Sequence, residues 1–204
     1  MSKTRSKSEE KRLQILSSAK DLFSAQGFTA VSMDQIAKAA GVSKQTVYSH
    51  FGNKDDLFAA AIEQKCIGLK LSEIQLPEDV SAREVITKIS HSFSQMILSE
   101  DAMQVHRTSV SEAHTNPTVA RLFYATGPLQ VISQVARILQ QLDENGKLQI
   151  EDPRMAAVQL LKILQGEARM EAEYNIESRQ SEAEIAAYTQ SCIDMFLRAY
   201  APAP

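Results

Sequence analysis

Ser32-Met33-Asp34-Gln35-Ile36-Ala37-Lys38-Ala39-Ala40, then Gly41-Val42, then Ser43-Lys44-Gln45-Thr46-Val47-Tyr48-Ser49-His50-Phe51 spell two short helices and the turn between them. Ser32 opens a capping box with Gln35, which predicts a helix to about Ala40. Gly41-Val42 supplies a tight turn, and Ser43 caps a second helix running to about His50. Ile36, Ala37 and Ala40 are apolar or small, so the first helix can cross closely over the second. Val42 and Val47 turn inward and anchor the second helix. Lys44, Gln45, Thr46, Tyr48, Ser49 and His50 are left on its outer surface, donors and acceptors able to read base edges or grip phosphates. Two short helices at a glycine turn in a basic region are the footprint of a DNA-binding helix-turn-helix.

Before this unit, Leu13, Leu16, Ala19, Lys20 and Phe23 trace a helical stripe over about Ser8 to Gln26, and Gly27 is its C-terminal stop. After it, Gly52-Asn53 breaks the chain. Asn53 caps a helix reaching about Leu71, with Leu57, Phe58, Ala61, Ile62, Cys66 and Leu69 on one face. Lys54 falls in its first turn, where backbone N–H groups and a cation together suit a phosphate clamp. Charge divides at the same place. Residues 1–54 hold nine Lys and Arg against four acids, a charge of +5, so a whole-chain charge of −3 leaves −8 on the rest. A basic head on an acidic body suits a polyanion-binding module joined to a part that does not bind polyanions. A disordered basic tail accounts for Lys3, Arg5 and Lys7, but not for Lys38, Lys44 and Lys54, which lie inside patterned sequence.

The remainder of the 204 residues reads as helix, helped by only 7 Gly and 6 Pro. Val85, Ile86, Ile89, Phe93, Met96 and Ile97 form one apolar face. Ser99 to Asp101 precedes a helix carrying Met103 and Val110. Pro117 suits the first turn of a helix to about Leu142, which Gly127-Pro128 must kink or split. After a turn at Asp143 to Gly146 come two long amphipathic helices, about Pro153 to Tyr174 and Ser181 to Tyr200, with a polar link near Glu177 to Gln180. The expectation is an all-α chain of about nine helices with no strand. A helix-turn-helix domain over residues 8–53 precedes a helical effector-binding and dimerisation domain over 54–204.

Several classes are excluded. No run of 18 apolar residues spans a membrane, and Met1 to Arg12 has no apolar segment of secretory type, so the expected compartment is the cytoplasm. Cys66 and Cys192 lie far apart among apolar residues and read as small buried hydrophobes. His91, His106 and His114 lack a ligand-type neighbourhood, so no metal and no cofactor is expected. No nucleophile stands at motif spacing from a base and no glycine loop cradles phosphate, which argues against an enzyme.

The run Gly27-Phe28, Val31-Ser32-Met33, Ile36-Ala37, Ala40-Gly41-Val42-Ser43, Thr46-Val47-Tyr48-Ser49-His50-Phe51 and Lys54-Asp55-Asp56-Leu57-Phe58 resembles the tetracycline-repressor (TetR) family. The likeness covers about Lys11 to Ala61, a quarter of the chain. The tail from His91, with Ser94 to Glu100, Glu112, Pro117, Phe123-Tyr124 and Gly127-Pro128, resembles the AefR-like subgroup. The resemblance implies a homodimeric repressor of double-stranded operator DNA. Tyr48 and His50 would contact phosphates, Lys44 to Thr46 would lie nearest the bases, and Lys54 would clamp the backbone. Ser32, Ser43 and Ser49 complete the candidate interface, and partial packing of Tyr48 or His50 inside the small domain is the alternative. The last two helices would form the dimer interface through Met155, Val158, Leu161, Ile185, Tyr188, Cys192, Met195 and Phe196.

Between head and interface, Met and aromatic residues are frequent. Phe93, Met96, Met103, Phe123, Tyr124, Met170 and Tyr174 either form plain core or line a pocket for a small apolar effector, with His106, Arg107 and Arg169 to orient it. An effector-independent DNA-binding protein, or a protein-interaction module, is the competing reading.

Overall fold

The computed structural model describes residues 6–67, 69, 71, 74, 76–177 and 180–202. Every regular element of more than one turn is α-helical: α1 (Lys7–Ala30), α2 (Met33–Ala39), α3 (Lys44–Phe51), α4 (Lys54–Ile67), α5 (Ala82–Ile97), α6 (Glu100–Ser111), α7 (Pro117–Thr126), α8 (Pro128–Glu144), α9 (Pro153–Ile163), α10 (Gly166–Glu173) and α11 (Glu182–Ala199). The chain divides into two compact units, Met1–Lys65 with Gln104–Gly127, and Cys66–Met103 with Pro128–Pro204.

In the first unit Leu16, Ala19 and Phe23 of the stripe predicted for α1 face inward, while Leu13 and Lys20 are half-buried and Ile15, outside that stripe, is buried. Ile15, Leu16 and Ala19 of α1, Ile36 of α2, Val47 of α3 and Leu57 of α4 are buried. Phe23 and Phe58 meet edge to face at 5.2 Å, and Phe28 joins them at 5.1 Å from Phe58, geometries that aromatic quadrupoles favour. Local capping fixes the helix starts. Ser6, Ser32 and Ser43 each accept the backbone N–H three residues on, and Asn53 accepts that of Asp56 at 2.8 Å. Gly27 does interrupt α1, at φ 80° and ψ 167°, but one further turn reaches Ala30.

The second unit packs α8 against α9, and α11 against α5 and α9. Val85, Ile86 and Ile89 of α5 meet an interior shared with Val135 and Leu139 of α8, Ala156 and Leu160 of α9, and Ile193 of α11. Lys147 ties down the preceding loop by donating to the carbonyls of Pro77, Glu78 and Val80 at 3.2, 2.9 and 2.7 Å. Gly127-Pro128 splits the expected long helix into α7 and α8.

The single helix expected over Pro153 to Tyr174 is two helices. The break follows Ile163, whose carbonyl accepts from the Tyr188 hydroxyl at 2.7 Å and the Cys192 thiol at 3.4 Å, both on α11. The Tyr188 ring lies so close to Gly166 that an added Cβ would meet its Cε1 at 2.6 Å. The reach of α4 to Leu71, Lys3 and Arg5 of the basic tail, and part of the Glu177–Gln180 link involve residues outside those described. Cys66 and Cys192 are free and buried. Among the described residues no group of His, Cys, Asp and Glu could hold a metal ion, and no helix is long and apolar enough to cross a membrane.

Three carboxylates bond the folded state in their charged form. The Ser81 backbone N–H, then its hydroxyl, holds Glu84 below the ordinary carboxylate range. Ser181 does the same for Glu184, and Arg83, 2.6 Å away, does so for Asp194. Because these pKa values are lower in the folded chain than in the unfolded one, their stabilisation is complete above the unfolded values. It is lost as pH falls through the folded ones. Combining Glu84→Gln, Glu184→Gln and Asp194→Asn is therefore expected to flatten the acid limb of a Tm-against-pH curve. An acid limb of unchanged steepness would contradict this.

Candidate nucleic-acid interface

The surface of α3 follows from its periodicity. Val47 and Phe51 point into the first unit and are buried. Lys44, Gln45, Tyr48 and Ser49 are exposed, and Thr46 and His50 are half-buried. Tyr48 is 42% exposed, so packing inside the small domain does not remove it from the surface. Ser32 and Ser43 are exposed but committed as helix caps, and the Ser43 and Thr46 hydroxyls also bond each other at 2.8 Å. The Ser49 hydroxyl donates to the Thr46 carbonyl at 2.9 Å. Lys44, Gln45 and Tyr48 therefore form the prominent part of the face.

Lys44 has protein partners of its own. Its ammonium pairs with Asp34 of α2 at 2.7 Å and stands 5.9 Å from the Tyr48 ring centroid. The hydrogen bond to Asp34, reinforced by its charge, holds the lysine above its ordinary pKa. Behind α3, the Arg12 guanidinium covers the Phe51 ring at 5.1 Å. Neither Asp34 nor Arg12 is signalled by spacing, since each meets its partner from a different helix.

Lys54, expected as a phosphate clamp, has bonds within the protein. Its ammonium donates to the carbonyls of Phe28 and Val31, both at 2.9 Å, and lies 4.3 Å from the Phe28 ring centroid. Burial pushes its pKa below the ordinary lysine value. A cation at the end of α1 satisfies carbonyls that have no helical partner, so Lys54 anchors the link between α1 and α2. Lys54→Ala is expected to cost about 1–3 kcal/mol in chemical denaturation and to leave the salt dependence of DNA binding unchanged. A salt slope reduced by about one ion, with stability intact, would restore the clamp.

Sequence reasoning also missed a junction between α1 and α6. The Thr29 hydroxyl donates to Glu112 at 2.7 Å, and the Thr29 backbone N–H does so at 3.4 Å. A Cβ on Gly27 would meet Thr108 Cγ2 at 2.7 Å and Glu112 Oε1 at 2.9 Å. Glu112 and Lys54 thus both grip the few residues from which the helix-turn-helix hangs.

Residues 15–61 match the bacterial regulatory proteins of the tetR family, and residues 84–202 match the AefR-like transcriptional repressor C-terminal domain. The chain belongs to the TetR family. The HTH-type transcriptional regulator AcrR of Shigella flexneri is 47% identical over 57 residues, 28% of this chain and 26% of AcrR. HbdR of Aromatoleum sp. is 49% identical over 49 residues, 24% of this chain and 21% of HbdR. The chain thus matches about a quarter of each of these two relatives. Likeness to solved structures is more extensive. A TetR-family regulator from Mesorhizobium loti superposes with a TM-score of 0.77 at 26% identity, covering 97% of this chain and 100% of that one. The flavonoid-responsive regulator FrrA gives 0.74 at 30% identity, covering 96% and 100%.

In this TetR-family chain the candidate effector residues are divided between the two units. Phe93, Met103 and Arg169 are buried and Met96 half-buried in the second unit. His106, Arg107 and Phe123 are half-buried in the first. Tyr124, Met170 and Tyr174 are 53%, 58% and 74% exposed. Arg169 is engaged within the protein, donating to the Ile97 carbonyl and Met103 Sδ, each at 2.7 Å, and to Glu173 at 3.0 Å.

The interface candidates divide more sharply. Leu161, Cys192 and Phe196 are buried within the protomer. Val158 and Ile185 are half-buried, while Met155, Tyr188 and Met195 remain exposed. One wide apolar stripe on each helix thus serves the interior with one edge and leaves the other uncovered.

Proposed function

We propose that this TetR-family regulator binds double-stranded operator DNA as a homodimer through α3. We propose further that it represses transcription in the cytoplasm and is released by a small, largely apolar effector. The observation that supports this most is the exposed face of Lys44, Gln45 and Tyr48 on a helix whose opposite side, Val47 and Phe51, is buried. In this reading residues 8–53 are the DNA-binding domain, and 54–204 bind the effector and the second copy. Two α3 helices enter successive major-groove faces of a pseudo-palindrome, about 34–36 Å apart. Met155, Tyr188 and Met195 are the apolar surface that the second copy covers.

An effector acts only through differential affinity for two conformations. The path offered by the chain is α6, which begins in the second unit at Glu100 and ends in the first, where Glu112 holds Thr29. FrrA, 30% identical over nearly the whole chain, is flavonoid-responsive, so flavonoids head the effector panel. Fluorescence anisotropy with the chain's own upstream DNA and with random duplex, repeated with that panel, tests the reading. Binding relieved by one compound class supports it. Binding that no compound relieves leaves an effector-independent regulator, and no binding at low salt overturns it.

A further inference from the structure

We propose that Asp34 is a specificity-determining residue of the α3 surface, holding the Lys44 ammonium over the base-reading face and withholding it from backbone phosphates. The proposal rests on the DNA-binding reading above. Asp34 is the only acid in residues 32–51, and a carboxylate on a surface that approaches a polyanion needs a reason to be there. Lys44 opens α3 directly after the cap residue Ser43, where the helix dipole disfavours a cation. The pair at 2.7 Å offsets that cost, with both side chains more than half exposed. The ammonium is held from a second direction by the Tyr48 ring, 5.9 Å away and one turn further along the same face. Asp34 is itself fixed by the capping box of Ser32 and Gln35 that starts α2.

A lysine on a free stem grips any phosphate within reach, whatever the sequence. Paired with a carboxylate, the same lysine releases no counterion when phosphate approaches. At 0.1 M salt this lowers affinity for random duplex by roughly eightfold, the worth of one ion. On a matching site the ammonium keeps protons free to donate to guanine O6 or N7 without leaving Asp34. The pair thus weakens binding to the wrong sequence more than to the right one, which is what specificity requires.

The experiment compares wild type, Asp34→Asn, Asp34→Glu, Lys44→Gln and the Asp34→Asn/Lys44→Gln double variant. Thermal melts confirm that each is folded. Anisotropy titrations over a range of salt use random duplex and the duplex that wild type selects from a random pool. Asp34→Asn is expected to bind random duplex roughly eightfold more tightly at 0.1 M salt, with a slope steeper by about 0.9. Affinity for the selected duplex should not rise, so the ratio falls by the same factor. Asp34→Glu should restore the ratio, and Asp34→Asn should change neither slope nor ratio once Lys44 is glutamine. An equal rise on both duplexes, no rise on random duplex, or the same effect without Lys44 overturns the proposal. Wild type that binds neither duplex at low salt overturns the DNA-binding reading with it, whereas wild-type binding with an unchanged ratio in Asp34→Asn overturns the proposal alone.

Discussion

Gly27→Ala is expected to destabilise the protein by about 2–6 kcal/mol and to weaken DNA binding beyond what lost stability explains. Gly27 adopts φ 80° and ψ 167°, a region open essentially to glycine alone and costing other residues about 1–3 kcal/mol. The new methyl would also stand 2.7 Å from Thr108 Cγ2 and 2.9 Å from Glu112 Oε1, and overpacking of this kind adds about 1–3 kcal/mol. Relief comes by moving α6 away from α1, which breaks the Thr29–Glu112 bonds and leaves Lys54 as the remaining grip on the link. A chain of this size should lose roughly 4–24 °C in Tm. A Tm within a degree or two of wild type would show that α1 and α6 are not pressed together at this point.

Met195→Glu is expected to have the largest effect on function with little effect on the fold. Met195 is 46% exposed, Met155 55% and Tyr188 42%, so a carboxylate at Met195 is solvated in the single chain. In a two-copy bundle it would be buried twice near a symmetry axis, where unpaired charge costs several kcal/mol. Sedimentation should then give a monomer with unchanged helicity. Affinity for a pseudo-palindromic duplex should fall by about 100-fold or more as the two half-sites cease to be held together. A Met195→Glu protein that remains dimeric at micromolar concentration would place the contact between copies on another surface.

What the sequence disclosed was local. Ser32 with Gln35, Ser43 with Thr46 and Asn53 with Asp56 are side chains bonding three residues away, so the starts of α2, α3 and α4 could be read from residue types alone. The inward stripe of α3 followed from helical period for the same reason. Contacts between elements were hidden. Lys54 reaches carbonyls 26 and 23 residues earlier, and its position in a first turn suggests a phosphate as readily as a helix end. The break after Ile163, where Gly166 takes φ 55°, is bonded by Tyr188 and Cys192 of α11, and no glycine-proline pair announces it. Leu161, Cys192 and Phe196 share their stripes with Met155, Tyr188 and Met195. Only the angle at which α9 and α11 meet α5 and α8 decides which edge is buried. Asp34 and Lys44 are joined by the crossing of two helices, a distance that no linear spacing encodes.

The central claim is that the outward face of α3 meets DNA, and the preference of wild type and Lys44→Gln/Tyr48→Phe for a selected duplex over random duplex tests it most directly. Wild type should bind random duplex at low salt with log K falling linearly against log salt, and more tightly to a selected duplex. The double variant should lose most of the preference for the selected duplex while remaining folded and dimeric. Wild type and variant with the same affinity, slope and preference would mean that DNA, if bound at all, meets another surface.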